Sequence, residues 1–192
     1  MNKDEIDNAA DDSIFPTQPS DKGINATASA MLGTEKTAIV FFDLVKNRIQ
    51  HINSWRVIAE QLSANFQLVN RQGLEVFRKV QEGDYVRAEF TIPDMMITRK
   101  RYLWLRTEDV HEDPDSYRFA FREATQPGEH TMFRNHFDHP LSTFFEVSRR
   151  GLSVIVSIRR ELIAAAKTRN PLMQNTTPEI QWQALADGLL SR

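Results

Sequence analysis

The chain has 192 residues, 41% of them apolar, with a formal net charge of −2 and no cysteine. That is one domain's worth of chain with material for a proper core, and it excludes disulfide scaffolds, cysteine nucleophiles and thiolate metal sites. The near-neutral balance argues against a dedicated nucleic-acid binder, and no apolar run approaches the roughly 18 residues of a membrane span.

Residues 1–33 read as an acidic tail, flexible or docked on a partner. Through residue 35, seven acidic side chains face only Lys3 and Lys22. Pro16, Pro19, Gly23, Gly33 and small polar residues fill much of the rest. Such a composition buries too little apolar surface to offset its ordering entropy. Ile14 and Phe15 stand out as a docking anchor, so a protein partner or self-association through this tail is expected. The acidic start is wrong for a secretory signal, which makes the expected location cytoplasmic. A single α+β domain is expected over residues 34–192.

Thr34 reads as an N-cap with Glu35 in the first turn of a helix. Phe41, Leu44, Val45, Ile49, Ile52 and Trp55 recur at three- and four-residue spacing, with Asp43, Lys46, Asn47, Arg48 and Gln50 opposite. The β-branched and aromatic run 38–42 would also suit a buried strand, but the longer period favours the helix. Ser54 is expected to cap a second short helix to about residue 64, with Val57, Ile58 and Leu62 inward.

From Phe66 the period changes to two, giving strands over 66–70, 74–80, 84–90, 99–107 and 116–123 and the two arms of a hairpin within 142–160. Gly73, Gly83, Pro93-Asp94, Asp113-Pro114-Asp115 and Pro127-Gly128 punctuate them. The clearest strand alternates Tyr117, Phe119 and Phe121 with Ser116, Arg118, Ala120 and Arg122. In the hairpin, a turn at Arg150-Gly151 would set Val147 opposite Val154, Phe145 opposite Val156 and Thr143 opposite Ile158. Pro178 opens a last helix with the stripe Ile180, Trp182, Leu185, Leu189 and Leu190. The fold class is α+β: an antiparallel sheet or small barrel of about seven strands, flanked by N-terminal and C-terminal helices.

Chemistry-bearing residues are sparse. His136 and Asp138 would share a face of an extended segment and, with His139, offer nitrogen and oxygen donors to a metal. A polar loop ending at Pro140 accounts for them more simply. Arg99, Lys100 and Arg101 lead into Tyr102 and Trp104, and Arg118, Arg122 and Arg159 occupy outward positions. Cations among aromatics suit single-stranded nucleic acid, but nearby carboxylates nearly balance them, leaving a surface-recognition strip. No nucleophile motif such as G-x-S-x-G occurs, and no cofactor is expected.

Gly83-Asp84-Tyr85-Val86-Arg87, Tyr102-Leu103-Trp104-Leu105-Arg106, His136-Phe137-Asp138, Ser142-Thr143-Phe144-Phe145, Arg149-Arg150-Gly151, Arg169-Asn170-Pro171 and Ile180-Gln181-Trp182-Gln183-Ala184-Leu185 follow in order. This set resembles an uncharacterised family of small bacterial proteins over most of residues 38–190. The resemblance implies a shared fold and no activity. The reading is therefore a non-enzymatic binding or adaptor protein, with a larger bacterial assembly such as contractile or secretion machinery as its suggested setting. The alternative is a binder of small apolar ligands, its cavity lined by Phe119, Phe121, Phe145, Trp104 and Tyr85. A metal-dependent enzyme using His136, Asp138 and His139 comes third.

Overall fold

The computed structural model describes residues 25–93, 98–128, 141–162 and 180–191. Its strands are β1 (Asn25–Met31), β2 (Ala64–Val69), β3 (Tyr85–Pro93), β4 (Thr98–Asp113), β5 (Ser116–Ala124), β6 (Leu141–Arg150) and β7 (Ser153–Leu162). All pair antiparallel in the order β1-β7-β6-β5-β4-β3-β2. The sheet curls into a half-barrel whose concave side holds α1 (Glu35–Gln50), the short α2 (Trp55–Ile58) and α3 (Trp182–Leu189). The fold is thus α+β, with the N-terminal and C-terminal helices expected, but α2 stops at Ile58 instead of running to about residue 64, and Ile180 and Gln181 precede the last helix instead of lying within it.

Helix α1 begins at Thr34, whose hydroxyl accepts from the Thr37 amide at 3.2 Å while Thr37 Oγ1 accepts from the Thr34 amide at 3.1 Å. This reciprocal box satisfies two amides that a helix start leaves without partners. Phe41, Phe42, Val45 and Ile49 turn to the core, whereas Leu44 is half out. Gln50, expected on the polar side, is buried. Ser54 closes a one-turn 3-10 segment and makes no capping bond; α2 is only four residues long and leaves Val57 exposed. At the other end, Arg48 donates to the carbonyls of Leu189 and Ser191, neutralising the C-terminus of α3. Gly188 lets α3 and α2 approach closely, since a Cβ there would lie 2.6 Å from the Ile58 carbonyl oxygen.

The count of seven strands agrees with the sequence, but by two compensating differences. Residues 25–31, read as part of the tail, form edge strand β1 against β7. Their inward side chains are only Ala26, Ala28 and Ala30, too small to give an apolar signal. The free edge of β1 is partly covered: the Gln183 side-chain amide exchanges two hydrogen bonds with the backbone of Thr27, at 3.2 and 3.1 Å. Conversely, 74–80 is no strand and makes a single bridge, Val69 to Glu75. Side chains fix this segment instead. Asn53 donates to the Val76 carbonyl and accepts from the Leu68 amide. Arg78 forms two bonds, at 2.7 and 2.9 Å, to the buried carboxylate of Asp84.

The β6–β7 hairpin turns at Gly151-Leu152, one residue later than expected. Arg150 pairs with Ser153, Val147 with Val156, Phe145 with Ile158 and Thr143 with Arg160. Gly151 takes φ of 58° at the first central position, which a type II′ turn requires and which arginine would resist. Each pairing is two residues from the expected one, so every side chain keeps its face. Strand β4 also runs beyond 107 to Asp113, through a bulge at which Asp109 adopts a positive φ of 55°.

Candidate functional site: the concave face and its charged end

Period-two alternation assigns each strand residue to a face. The inward rows include Phe66 and Leu68 on β2, Val86, Ala88 and Phe90 on β3, Leu103, Leu105 and Thr107 on β4, and Tyr117, Phe119 and Phe121 on β5. Thr143, Phe145 and Val147 on β6 and Val154, Val156 and Ile158 on β7 complete them. Phe119 stacks on Phe145 at 4.8 Å between ring centres, and Phe121 meets Phe145 edge-on at 4.9 Å. Trp55 and Trp182 close on Phe145 from the helices at 5.4 and 5.3 Å. These rings pack on each other at separations typical of favourable aromatic pairs. Phe119, Phe121 and Phe145 therefore line the interior as expected, but as packed core. Trp104 and Tyr85 do not join them: Trp104 pairs with Arg87 and Tyr85 with Arg106, both on the convex side.

Two inward rows end in charge. On β5 the row Tyr117, Phe119, Phe121 continues to Glu123; on β7 the row Val154, Val156, Ile158 continues to Arg160. Strand β6 lies between, and Thr143, beside Arg160, is its buried inward residue there. Glu123 and Arg160 reach across β6, spanning about 10 Å of sheet, and bring Oε1 and Nη2 to 3.6 Å. Their side chains are 13% and 20% exposed. Burial pushes the Glu123 carboxyl above its usual range, against the opposing pull of Arg160. The gap exceeds the ~2.7–2.9 Å of a direct charge-assisted hydrogen bond, so the pair is loose. Leu105, opposite Glu123 on β4, supplies an apolar wall.

Deeper on the same face, burial pushes the Tyr117 hydroxyl up to about 12, partly offset by its bond to the Gln50 side chain. Thr107 Oγ1 is buried without a hydrogen-bond partner among the described residues. These groups are candidates for positioning a ligand or water.

The cationic strip divides between the faces. Arg101 pairs with Phe90 and Arg99 with Ile92, so both stand at inward register positions near the Glu123–Arg160 end of the sheet. Lys100, Arg118 and Arg122 stand on the convex side, where Lys100 meets Glu89 at 2.9 Å and Arg122 meets Glu108 at 3.0 Å. Arg87 lies over the Tyr102 ring at 5.8 Å and pairs with Glu75 at 2.7 Å. Carboxylates thus engage Arg87, Lys100 and Arg122, cations that phosphates would need. Ile14, Phe15, His136, Asp138 and His139 lie outside the described residues. Among the described residues no group of three potential metal ligands occurs, and no helix is long and apolar enough to cross a membrane. The acidic stretch 109–115 is engaged locally: Asp115 receives Arg149, Asp113 receives the Ser116 hydroxyl and Glu112 meets Lys46.

A second apolar surface lies outside the sheet. An open groove of about 340 Å³ follows one flank of α1, lined by Leu32, Lys36, Thr37, Val40, Phe41 and Leu44.

The pairing of Glu123 with Arg160 escapes a reading of single segments. Its signal is nevertheless present, because the two clearest period-two rows of the chain each run directly into a charge.

No protein-family model and no curated protein matches the chain. Among solved structures, a hypothetical protein from Helicobacter pylori is similar over 89% of this chain and 87% of its own, with 12% identity and a TM-score of 0.54. A STAR-related lipid transfer protein fragment from Xanthomonas axonopodis matches over 86% and 85%, with 12% identity and a TM-score of 0.42. The major latex-like protein 151 from Panax ginseng matches over 88% and 90%, with 14% identity and a TM-score of 0.40. The likeness to the Helicobacter pylori protein is one of fold: the same curled sheet and helices, reached by a sequence almost wholly different.

Proposed function

We propose that this chain is a binder of small apolar ligands, which dock on the concave face with a polar group toward Glu123, Thr143 and Arg160. The observation that carries this reading is the loose ion pair at the end of two otherwise apolar rows. A core gains little from such a pair, because desolvating two charges offsets most of their attraction. Ligand sites, by contrast, combine apolar walls with a few convergent polar groups, often with perturbed ionisation. The groove along α1 has the apolar wall, but Lys36 and Thr37 are its only polar lining residues, which gives little to orient a ligand.

The test is a titration of the full chain with dodecanol, following Trp55 and Trp182 fluorescence and the melting temperature. Binding to the native state raises the apparent melting temperature as ligand concentration rises. Val40→Asp, on the exposed flank of α1, is expected to leave binding unchanged; its loss would move the site to the groove. An unchanged melting temperature and fluorescence for dodecanol and for its carboxylate and ammonium analogues would refute the reading.

A further inference from the structure

We infer that the groove along α1 is the seat of the chain's own N-terminal segment: Ile14 and Phe15 fill it, and the carboxylates of Asp11 and Asp12 face Lys36. This is independent of the small-ligand reading, which does not use the groove. Lys36, Val40 and Leu44 follow one another at four-residue spacing and share one flank of the helix. Val40 is 62% exposed and Leu44 is half out. The apolar surface continues past Leu32, whose amide donates to the Leu152 carbonyl at 2.9 Å, to the exposed side chains of Leu152 and Met31. Contiguous apolar surface left in water marks an interaction site. Size, charge and reach select the occupant. A groove of about 340 Å³ takes a few side chains, far less than the ~800 Å² face of a folded partner. Lys36 is its only charged lining residue and makes no ion pair among the described residues, while Glu35 beside it turns to Arg149. Within residues 1–24, Ile14-Phe15 is the only adjacent pair of large apolar side chains, and Asp11-Asp12-Ser13 directly precedes it. Asn25 opens β1 and Leu32 follows its far end, so the groove begins about 23 Å from Asn25. Ten residue steps separate Phe15 from Asn25 and extend to at least ~33 Å, so the segment can double back along β1. Such a tether holds the pair near the groove at an effective concentration of order mM, and modest contacts then suffice.

The experiment traps the contact in the full chain. Because the chain has no cysteine, Ser13→Cys combined with Val40→Cys introduces one pair of thiols, which can join only when their Cβ atoms come within about 4.5 Å. The control combines Ser13→Cys with Lys100→Cys on the convex face. Under mild oxidation of dilute protein, read by non-reducing gel and by the mass of the linked peptides, the Val40 pair is expected to close within one chain at least about tenfold faster than the control. Adding Phe15→Asp should bring the rate down to that of the control. Lys36→Glu, or raised salt, should slow closure by a smaller factor. Equal rates for the two pairs, or a fast closure that Phe15→Asp does not slow, would overturn the inference. Disulfide-linked dimers in place of closed monomers would also overturn it and assign the groove to the segment of a second copy. Should the Val40→Cys chain fail to fold, Leu44→Cys on the same flank takes its place, with the same outcomes deciding.

Discussion

Two ion pairs sit one residue apart on β5 and face opposite ways. Arg122 meets Glu108 at 3.0 Å on the convex side, with side chains 43% and 25% exposed, whereas Glu123 meets Arg160 at 3.6 Å on the concave side. The closer, wetter pair is an ordinary device: charges on an outer face keep it soluble and add little stability. The looser, drier pair has no such excuse. It occupies positions that apolar residues fill elsewhere along both rows. What separates the two is the solvent each face sees, and this difference is what the small-ligand proposal builds on.

The comparison can be broken most forcefully through the rings that make the inner face dry. Phe145→Ala removes a fully buried ring packed against Phe119, Phe121, Trp55 and Trp182. It should cost about 3–5 kcal/mol in urea unfolding. Tyr102→Ala, on the half-exposed convex face, should cost far less. Similar losses at the two positions would mean that the faces do not differ as described.

The second test uses pH. The Glu123 carboxyl is raised in the folded protein, chiefly by burial. The unfolded chain therefore gives up this proton more readily. The stability linked to Glu123 is fully present below its ordinary value of 4.5 and is lost as pH rises through the higher folded value. Acidification from pH 7 to pH 5 should thus favour the wild-type chain relative to Glu123→Gln, as read from urea midpoints. A relative loss would show that attraction to Arg160 outweighs burial. The smallest effect is expected outside: Arg122→Ala should change stability by no more than about 1 kcal/mol at any of these pH values. A larger effect would remove the contrast between the two pairs.

Local chemistry settles much of this protein. The Thr34 cap, the α1 stripe from Phe41 to Ile49 and the rows of β5, β6 and β7 follow from spacing alone, because period and capping depend on near neighbours. Even the hairpin register misses by two residues without exchanging faces, since alternation fixes parity while only the turn geometry at Gly151 fixes the pairing. Other features required the assembled sheet. An alanine-lined edge strand has no apolar signal until β7 lies beside it. The segment 74–80 looks like a strand until Asn53 and Asp84, brought near by the fold, pin it otherwise. Tyr85 and Trp104 look like cavity aromatics until pairing with Arg106 and Arg87 shows them on the convex side. Glu123 and Arg160 are both legible as the ends of inward rows, yet 37 positions separate them in the chain. Only the order β7-β6-β5 sets them on either side of β6 on the same face, because long-range pairing is decided by which strands share a sheet and not by any residue's own neighbours.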